Sequence, residues 1–320
     1  KSRKKICKAQ NCPESMRKVL IGEQIFCEVA KFVAESNFTK KVLIVTDCNV
    51  FKIYSESLRK IFNKCEINFE VEVIPAGETS KNLREAENLY TCAIESQLDR
   101  KSVIIALGGG SPMDTAKAIG IIINNPEFAD VRSLEGVADT KNKSVPILAV
   151  PTTAGTAAEV TINYVITDAE KNRKMVCVDP HDIPVVAFID SDMMSSMPKG
   201  LTAATGMDAL THAIEGYITA GAWELSDMFH LKAIEIIARS LRGAVDNDPE
   251  GREGMALGQY VAGMGFSNVG LGLVHSMAHP LGALYDTPHG VANAIILPTV
   301  MAYNAEATGE KYREIGRAHV

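Results

Sequence analysis

The feature that most constrains the fold is a change in sequence character near Leu201. Before it, apolar runs typical of buried strands alternate with amphipathic helical segments; the runs are KVLIVTD (41–47), FEVEVIP (69–75), SVIIALGGG (102–110), SVPILAVPTT (144–153) and VVAFIDS (185–191). Such an alternation predicts a parallel sheet in a layered α/β domain. After it, strand signals disappear and long segments with helical period follow, which predicts an all-α domain.

The boundary between these domains is placed near Pro198 and Gly200, where the segment SSMPKG separates the two patterns. We therefore expect an α/β domain over residues 16–199 and a helical domain over residues 200–320 that is incomplete at its C-terminus. The opening KSRKKICKAQNCPES is polar and precedes a strand-like start, so we set residues 1–15 aside as a leader or tag.

Composition narrows the range of functions. A chain of 320 residues that is 46% hydrophobic, with a net charge of -6, is expected to be globular and to bind neither nucleic acid nor an anionic membrane. There is no run of 18 apolar residues and no secretory signal, and the seven cysteines lack metal-ligand spacing. We expect reduced thiols, a cytoplasmic location and a small-molecule partner.

A glycine-rich turn marks the first candidate binding site. In LGGGSPMDTAKAIG, three glycines follow a strand, and Ser111 and Asp114 lie at the start of a helix. Glycines let backbone amides approach a pyrophosphate, and the helix N-terminus adds partial positive charge. The motif differs from GxGxxG, and a purely structural turn is the alternative.

Two further features lie at strand ends. Thr152, Thr153 and Thr156 of PTTAGTAAEVT could donate hydrogen bonds to phosphate or ribose, or simply cap a helix near Ala157. Asp47 ends the strand KVLIVTD, where its carboxylate could bind an adenosine ribose, which favours NAD over NADP; a turn aspartate is the alternative.

Histidines are concentrated in two short segments of the helical domain. GMDALTHAIEG places Asp208 and His212 four residues apart, on one face of a helix, and GLVHSMAHPLGALYDTPHG supplies His275, His279 and His289. One carboxylate with three imidazoles suits iron or zinc. Spacing alone does not choose between His275 and His279.

These motifs, together with the following GVANAIILP, resemble the iron-containing alcohol dehydrogenases from about Gly108 to near Tyr312. The resemblance implies a metal bound by Asp208, His212, His275 and His289, with His279 as a catalytic residue near the nicotinamide. It implies that the dinucleotide is surrounded by Gly109, Gly110, Ser111, Asp114, Thr152, Thr153, Thr156, Asn163 and Lys174. Asn163 and Phe266 would line the substrate pocket.

The implied activity is the interconversion of a small alcohol or diol and its aldehyde by hydride transfer. NAD would be the cofactor, Fe²⁺ the metal with Zn²⁺ as the alternative, and a homodimer the assembly. The implied architecture is the one shared by this family and dehydroquinate synthase: a dinucleotide-binding α/β domain followed by an all-α metal-binding domain.

The N-terminal third resembles dehydroquinate synthase in VLIGEQIF, KVLIVTDCNV and EVIPAGETSKNLREAENLY. That resemblance implies that Asp47, Glu78 and Lys81 approach NAD. Two alternative functions follow, a synthase-like lyase and an inactive hybrid that only binds NAD. SPMDTAK and PTTAGTAAEVT stand where a synthase would have a VGGD-like turn and PTTLLAQVD, so the residues for synthase chemistry are missing.

Overall fold

A computed structural model describes residues 18–38, 41–77, 80–99 and 101–318, together with the backbone of residues 5–6. The chain divides into two compact units. The first comprises Lys1–Thr152, Ile162–Lys171 and Met175–Asp190. The second comprises Thr153–Thr161, Asn172–Lys174 and Ser191–Val320.

The first unit has the α/β architecture that the sequence predicts. The strands are β1 (Lys5–Ile6), β2 (Lys18–Gly22), β3 (Val42–Asp47), β4 (Phe69–Ile74), β5 (Val103–Gly108), β6 (Gly136–Val137), β7 (Ile147–Pro151), β8 (Asn163–Asp168), β9 (Arg173–Val178) and β10 (Val186–Asp190). The helices are α1 (Cys27–Glu35), α2 (Cys48–Lys64), α3 (Leu83–Glu95) and α4 (Gly110–Asn124).

The main sheet has the order β1-β2-β10-β7-β5-β3-β4. Its pairs are parallel, as predicted, except for the antiparallel pairing of β1 with β2. Strands β5, β7 and β10 are buried along their whole length, which explains their unbroken apolar sequences. The edge strand β4 carries two glutamates, which discourage pairing with another sheet.

A second sheet, with the order β6-β9-β8, does not appear among the predicted strands. Its residues Tyr164, Ile166 and Cys177 belong to one buried cluster with Ile121 and Ile122 of α4. Helix α4 is therefore buried on nearly all of its surface, which is why its sequence lacks a clear polar face. The cluster fixes the start of β8, and hence Asn163, relative to α4.

The second unit contains the helices α5 (Ser191–Met194), α6 (Lys199–Ile218), α7 (Glu224–Val245), α8 (Pro249–Val269), α9 (Leu273–Tyr285), α10 (His289–Asn304) and α11 (Lys311–Ala318). From Ser191 onward its described residues form helices and connections only, which agrees with the predicted all-α region. Among the helices described, none combines the length and apolar character needed to cross a membrane. Among the described residues, the thiols of Cys27, Cys48, Cys65, Cys92 and Cys177 form no disulfide.

His230 is a buried polar residue in the centre of this helical unit. It lies on α7, and a Cβ added to Gly216 of α6 or to Gly265 of α8 would lie 2.3 Å from its Nε2. The two glycines thus make room for the imidazole. Neither ring nitrogen has a hydrogen-bond partner among the described residues, and burial, followed by the charges of Lys311 and His212, lowers the pKa of His230 to about 4.

We predict that this histidine makes the free energy of unfolding fall in mild acid. Because its folded pKa lies below the unfolded value of about 6.5, the unfolded chain takes up the proton first as the pH falls. The resulting decrease in the free energy of unfolding begins near pH 6.5, is complete below about pH 4, and amounts to about 3 kcal/mol. In urea unfolding, the free energy of unfolding should fall less between pH 7 and pH 4.5 for His230→Leu than for the unmodified chain. An equal fall in both proteins would contradict the prediction.

Candidate functional site

Helix α6 carries the first two residues of the candidate metal site. Asp208 and His212 are separated by one helical turn, so both side chains lie on one face, and both are buried. The His212 ring stacks on Phe266 of α8, with ring centroids 4.4 Å apart, and on His275 at the same distance. This stacking fixes the plane of His212.

Helices α9 and α10 bring the other histidines to α6. His275 lies in the first turn of α9, and His289 is the first residue of α10. The next residue, Gly290, packs directly on the α6 backbone, because a Cβ there would lie 2.0 Å from the carbonyl oxygen of Ala204. This contact, one turn from Asp208, holds His289 at the site.

The side chains converge on one carboxylate oxygen. Asp208 Oδ1 lies 3.8 Å from His212 Nε2, 3.6 Å from His275 Nε2 and 3.5 Å from His289 Nε2. Ligand atoms of Asp208, His275 and His289 all lie within 4.8 Å of one another. His212 stands just outside that group but shares the same oxygen.

The structure separates the two histidines that spacing alone left equivalent. His275 belongs to the convergent group, whereas His279 lies one turn further along α9 and outside it. The His279 ring is half-buried, and its centroid is 6.4 Å from that of His275 and 5.2 Å from that of His289. His279 is therefore adjacent to the cluster without entering it.

Burial and charge together set the protonation of this cluster. Burial alone would raise the pKa of Asp208, but His212 and His289, followed by the bond from His275, hold it well below its usual range. Burial lowers the pKa of His212 to about 4 despite the opposing charge of Asp208. Asp208 and His212 are therefore held in the forms that bind a metal, an ionised carboxylate and a neutral imidazole. At His275 burial is outweighed, because Asp208 and Glu215 raise the pKa of this imidazole.

Glu215 supports His275 from outside the cluster. Its Oε2 accepts a hydrogen bond from His275 Nδ1 at 2.6 Å, and its Oε1 accepts one from the backbone N–H of Val274, also at 2.6 Å. With Nδ1 committed to Glu215, Nε2 of His275 faces Asp208. Partners of this kind orient a metal-binding imidazole and set its tautomer.

Asn293 is a second polar residue of the site that the sequence analysis missed. It is fully buried, and its Nδ2 donates a hydrogen bond to Asp208 Oδ1 at 2.7 Å. A sequence signal existed for both missed residues. Glu215 follows His212 by three residues on α6 and Asn293 follows His289 by four on α10, so each lies on the same helix face as a candidate ligand.

The residues present fit a divalent metal. Ligands about 2.1 Å from a tetrahedral ion lie about 3.4 Å from one another, close to the 3.5–3.8 Å that separates Asp208 Oδ1 from the three imidazole nitrogens. One carboxylate oxygen with imidazole nitrogens suits iron or zinc. The candidate ligands are those that the sequence analysis named, Asp208, His212, His275 and His289.

The candidate cofactor residues lie at the carboxyl ends of strands in the first unit. Asp47 ends β3 and caps α2, because its Oδ1 accepts hydrogen bonds from the N–H groups of Asn49 and Val50. A Cβ at Gly108 would lie 2.7 Å from Pro112 and 3.4 Å from Asp47 Oδ2, so glycine is needed at the end of β5. The aspartate thus lies beside the glycine-rich turn.

The same turn begins α4: Gly109 is the N-cap of this helix and Gly110 is its first residue. No side chain caps the first backbone amides of α4. Ser111 donates to the carbonyl oxygen of Gly77 at 3.0 Å. The amino end of α4 is therefore a half-buried glycine-rich turn of the kind that binds phosphate.

Asp114 and Lys81 were named from different resemblances, and the structure brings them together. Lys81 Nζ lies 3.1 Å from Asp114 Oδ2, and both side chains are buried. Burial raises the pKa of Asp114, while Lys81 and Lys117 act in the opposite direction. Glu78, the other residue named from that motif, lies outside the described residues.

The remaining predicted residues divide between the two units. In the first, the Thr152 N–H donates to Gly108, and the carbonyl oxygen of Asn163 accepts from Lys117 Nζ at 2.9 Å. In the second, Thr153 and Thr156 belong to the segment Thr153–Thr161. Lys174 lies against Gly282 of α9.

Comparison with known proteins identifies the family. Residues 16–191 match the model of the iron-containing alcohol dehydrogenases, and residues 202–319 match that of the C-terminal part of the Fe-containing alcohol dehydrogenase family. The chain therefore belongs to the iron-containing alcohol dehydrogenases. The first match includes the N-terminal third that also resembles dehydroquinate synthase.

Individual relatives make the similarity more specific. Lactaldehyde reductase of Escherichia coli (strain K12) is 77% identical over 214 residues, which cover 67% of this chain and 56% of that protein. The NAD-dependent methanol dehydrogenase of Bacillus methanolicus is 39% identical over 282 residues, which cover 86% of this chain and 71% of that protein. The crystal structure of a 1,3-propanediol oxidoreductase superposes with a TM-score of 0.84 at 38% identity, and the match covers 94% of this chain and 78% of that chain. The chain thus spans little more than half the length of the lactaldehyde reductase that it matches.

Proposed function

We propose that this chain is a metal-dependent, NAD-linked alcohol dehydrogenase that interconverts a small alcohol or diol and its aldehyde, of the lactaldehyde and 1,2-propanediol type. The observation that carries the proposal is the convergence of three imidazole Nε2 atoms on Asp208 Oδ1, at 3.5–3.8 Å. The high identity to lactaldehyde reductase supports the substrate class.

The metal assignment is Fe²⁺, with Zn²⁺ accepted by the same ligands. A divalent ion at this site supplies Lewis acidity, which eases ionisation of an alcohol and polarises a carbonyl. Asp208, His212, His275 and His289 would hold it, and Glu215 would keep the His275 ring oriented. The family name and the donor set both favour iron.

The cofactor assignment is NAD. The uncapped glycine-rich turn at the start of α4 suits a pyrophosphate, and Asp47 Oδ2 beside it suits a ribose while repelling a 2′-phosphate. One relative, the methanol dehydrogenase, is named as NAD-dependent. Together these observations favour NAD over NADP.

His279 is assigned the proton-transfer step. Its imidazole is half-buried and stacks against His289 without joining the ligand group, which suits a residue that exchanges protons. Bound NAD would supply the hydride acceptor for alcohol oxidation, and His279 would accept the proton that the alcohol loses; in aldehyde reduction His279 would return that proton.

The direct test is NADH oxidation in the presence of lactaldehyde, measured on protein purified without oxygen and loaded with ferrous iron. We expect turnover that disappears when a chelator removes the metal and returns when iron is restored. Replacing NADH by NADPH should lower kcat/KM. Tight NAD binding with no turnover in metal-replete protein would instead support an inactive dinucleotide-binding chain, and formation of dehydroquinate from its phosphate precursor would support a lyase.

A further inference from the structure

The side-chain amide of Asn293 occupies an unusual position among the candidate ligands. Besides its 2.7 Å hydrogen bond to Asp208 Oδ1, Nδ2 lies 3.3 Å from His275 Nε2 and 3.3 Å from His289 Nε2. These three atoms are the ones that converge as a candidate metal group. The amide nitrogen therefore lies against the three atoms that a cation would use.

The orientation of this amide follows from the charge beside it. Turning the group over would place its carbonyl oxygen against Asp208 Oδ1, and two acceptors would then repel each other. With Nδ2 toward Asp208, Oδ1 of Asn293 is buried and has no hydrogen-bond partner among the described residues. The contact with Asp208 thus determines the orientation of the amide, and it leaves Asn293 Oδ1 without a hydrogen bond of its own.

An ion and this amide compete for the same electrons. A deprotonated imidazole has a single lone pair on Nε2, which cannot accept a hydrogen bond and bind a metal simultaneously. The partial positive charge on the amide hydrogens also repels a cation that approaches Asp208 Oδ1. Asp208 Oδ1 has further lone pairs and can accept from the amide while it binds an ion, so the contacts that an ion displaces are those with His275 Nε2 and His289 Nε2.

Glu215 acts on the other side of His275 and in the opposite direction. It accepts from Nδ1 and leaves Nε2 directed toward Asp208. We propose that Asn293 is an internal placeholder, whose amide stabilises the metal-free ligand set and is displaced by the ion, so that Asn293 weakens metal binding whereas Glu215 strengthens it. The inference rests on the proposed metal site but not on the proposed reaction.

The test compares variants in a metal-free form of the full chain. Zn²⁺ affinity is measured by competition with a chelating dye, Co²⁺ absorption reports the ligand geometry, and thermal unfolding reports the stability of the metal-free protein. We expect Asn293→Ala to bind Zn²⁺ about 5- to 10-fold more tightly and to unfold about 2–4 °C lower without metal. Glu215→Gln should bind Zn²⁺ about 10- to 100-fold more weakly.

Two further variants complete the test, one at Asn293 and one as a control. Asn293→Asp replaces the donor by a carboxylate, so we expect the metal-free protein to lose stability and Zn²⁺ to bind more tightly than in Asn293→Ala. Asn268→Ala is the matched control, because Asn268 is exposed on α8 and its amide bonds only to its own helix, at the carbonyl oxygen of Met264. It should leave both the affinity and the unfolding temperature unchanged.

The outcomes separate the possible roles. Weaker Zn²⁺ binding in both Asn293 variants would make Asn293 an orienting group like Glu215 and would overturn the inference while leaving the metal site intact. An unchanged unfolding temperature of metal-free Asn293→Ala would also overturn it. Failure of the unmodified chain to bind Zn²⁺, Co²⁺ or Fe²⁺ would overturn the proposed metal site and this inference together.

Discussion

His275→Ala is expected to bind iron or zinc more than about 100-fold more weakly than the unmodified chain, since loss of an orienting partner alone costs 10- to 100-fold. His279→Ala is expected to keep the metal. The two histidines lie one turn apart on α9, but only His275 belongs to the group of atoms within 4.8 Å of one another. Each variant is therefore the matched control for the other.

The measurement is the metal content of both proteins after purification without oxygen, followed by NADH oxidation with lactaldehyde. His275→Ala should lose metal and activity together. His279→Ala should contain metal, turn over more slowly and show an altered pH profile, because a proton-transfer group has been removed. Metal loss in His279→Ala with retention in His275→Ala would reverse the two assignments.

Gly290→Ala is expected to lower the free energy of unfolding by about 3 kcal/mol or more and to impair metal binding. The added Cβ would lie 2.0 Å from the carbonyl oxygen of Ala204 and 2.5 Å from its carbonyl carbon. Both atoms are backbone, so no side chain can turn aside to make room. Helix α10 must instead move away from α6, and His289 moves with it.

Gly200→Ala is the matched control for this substitution. Gly200 is the second residue of α6, as Gly290 is of α10, but a Cβ at Gly200 would meet nothing within 4 Å. It should leave metal binding unchanged and preserve or slightly raise stability, because alanine favours a helix. Urea unfolding with a Zn²⁺ titration checks both variants. Equal stability of the two proteins would show that α10 can shift without loss.

Much of the first unit was predictable because strands that are buried on both faces have recognisably apolar sequences. Strands β3, β5, β7 and β10 are covered on both faces, so they appear as unbroken apolar runs, and their parallel pairing follows from the helices between them. The strands β8 and β9 were missed. Their burial alternates and they are joined by a tight turn around Asn172, which gives a weaker signal.

The candidate site was predictable to the extent that its residues are close in sequence. Asp208 and His212 share a helix face, and a histidine-rich segment was evident, but spacing could not rank His275 above His279. That choice depends on how α9 and α10 pack on α6, as do the contacts of Glu215 and Asn293. Long-range packing of this kind has no counterpart in the periodicity of a single helix.

The placement of the four candidate ligands on α6, α9 and α10 has a consequence for the strength of the fold itself. In the proposed metal-bound protein, one ion closes a loop from Asp208 to His289 that contains α7, α8 and α9. Like a covalent cross-link, this closure removes configurational freedom from the unfolded chain if the ligands stay bound there, and it opposes unfolding by mass action if they do not. The lifetime of the folded helical unit would then follow the concentration of free metal around it.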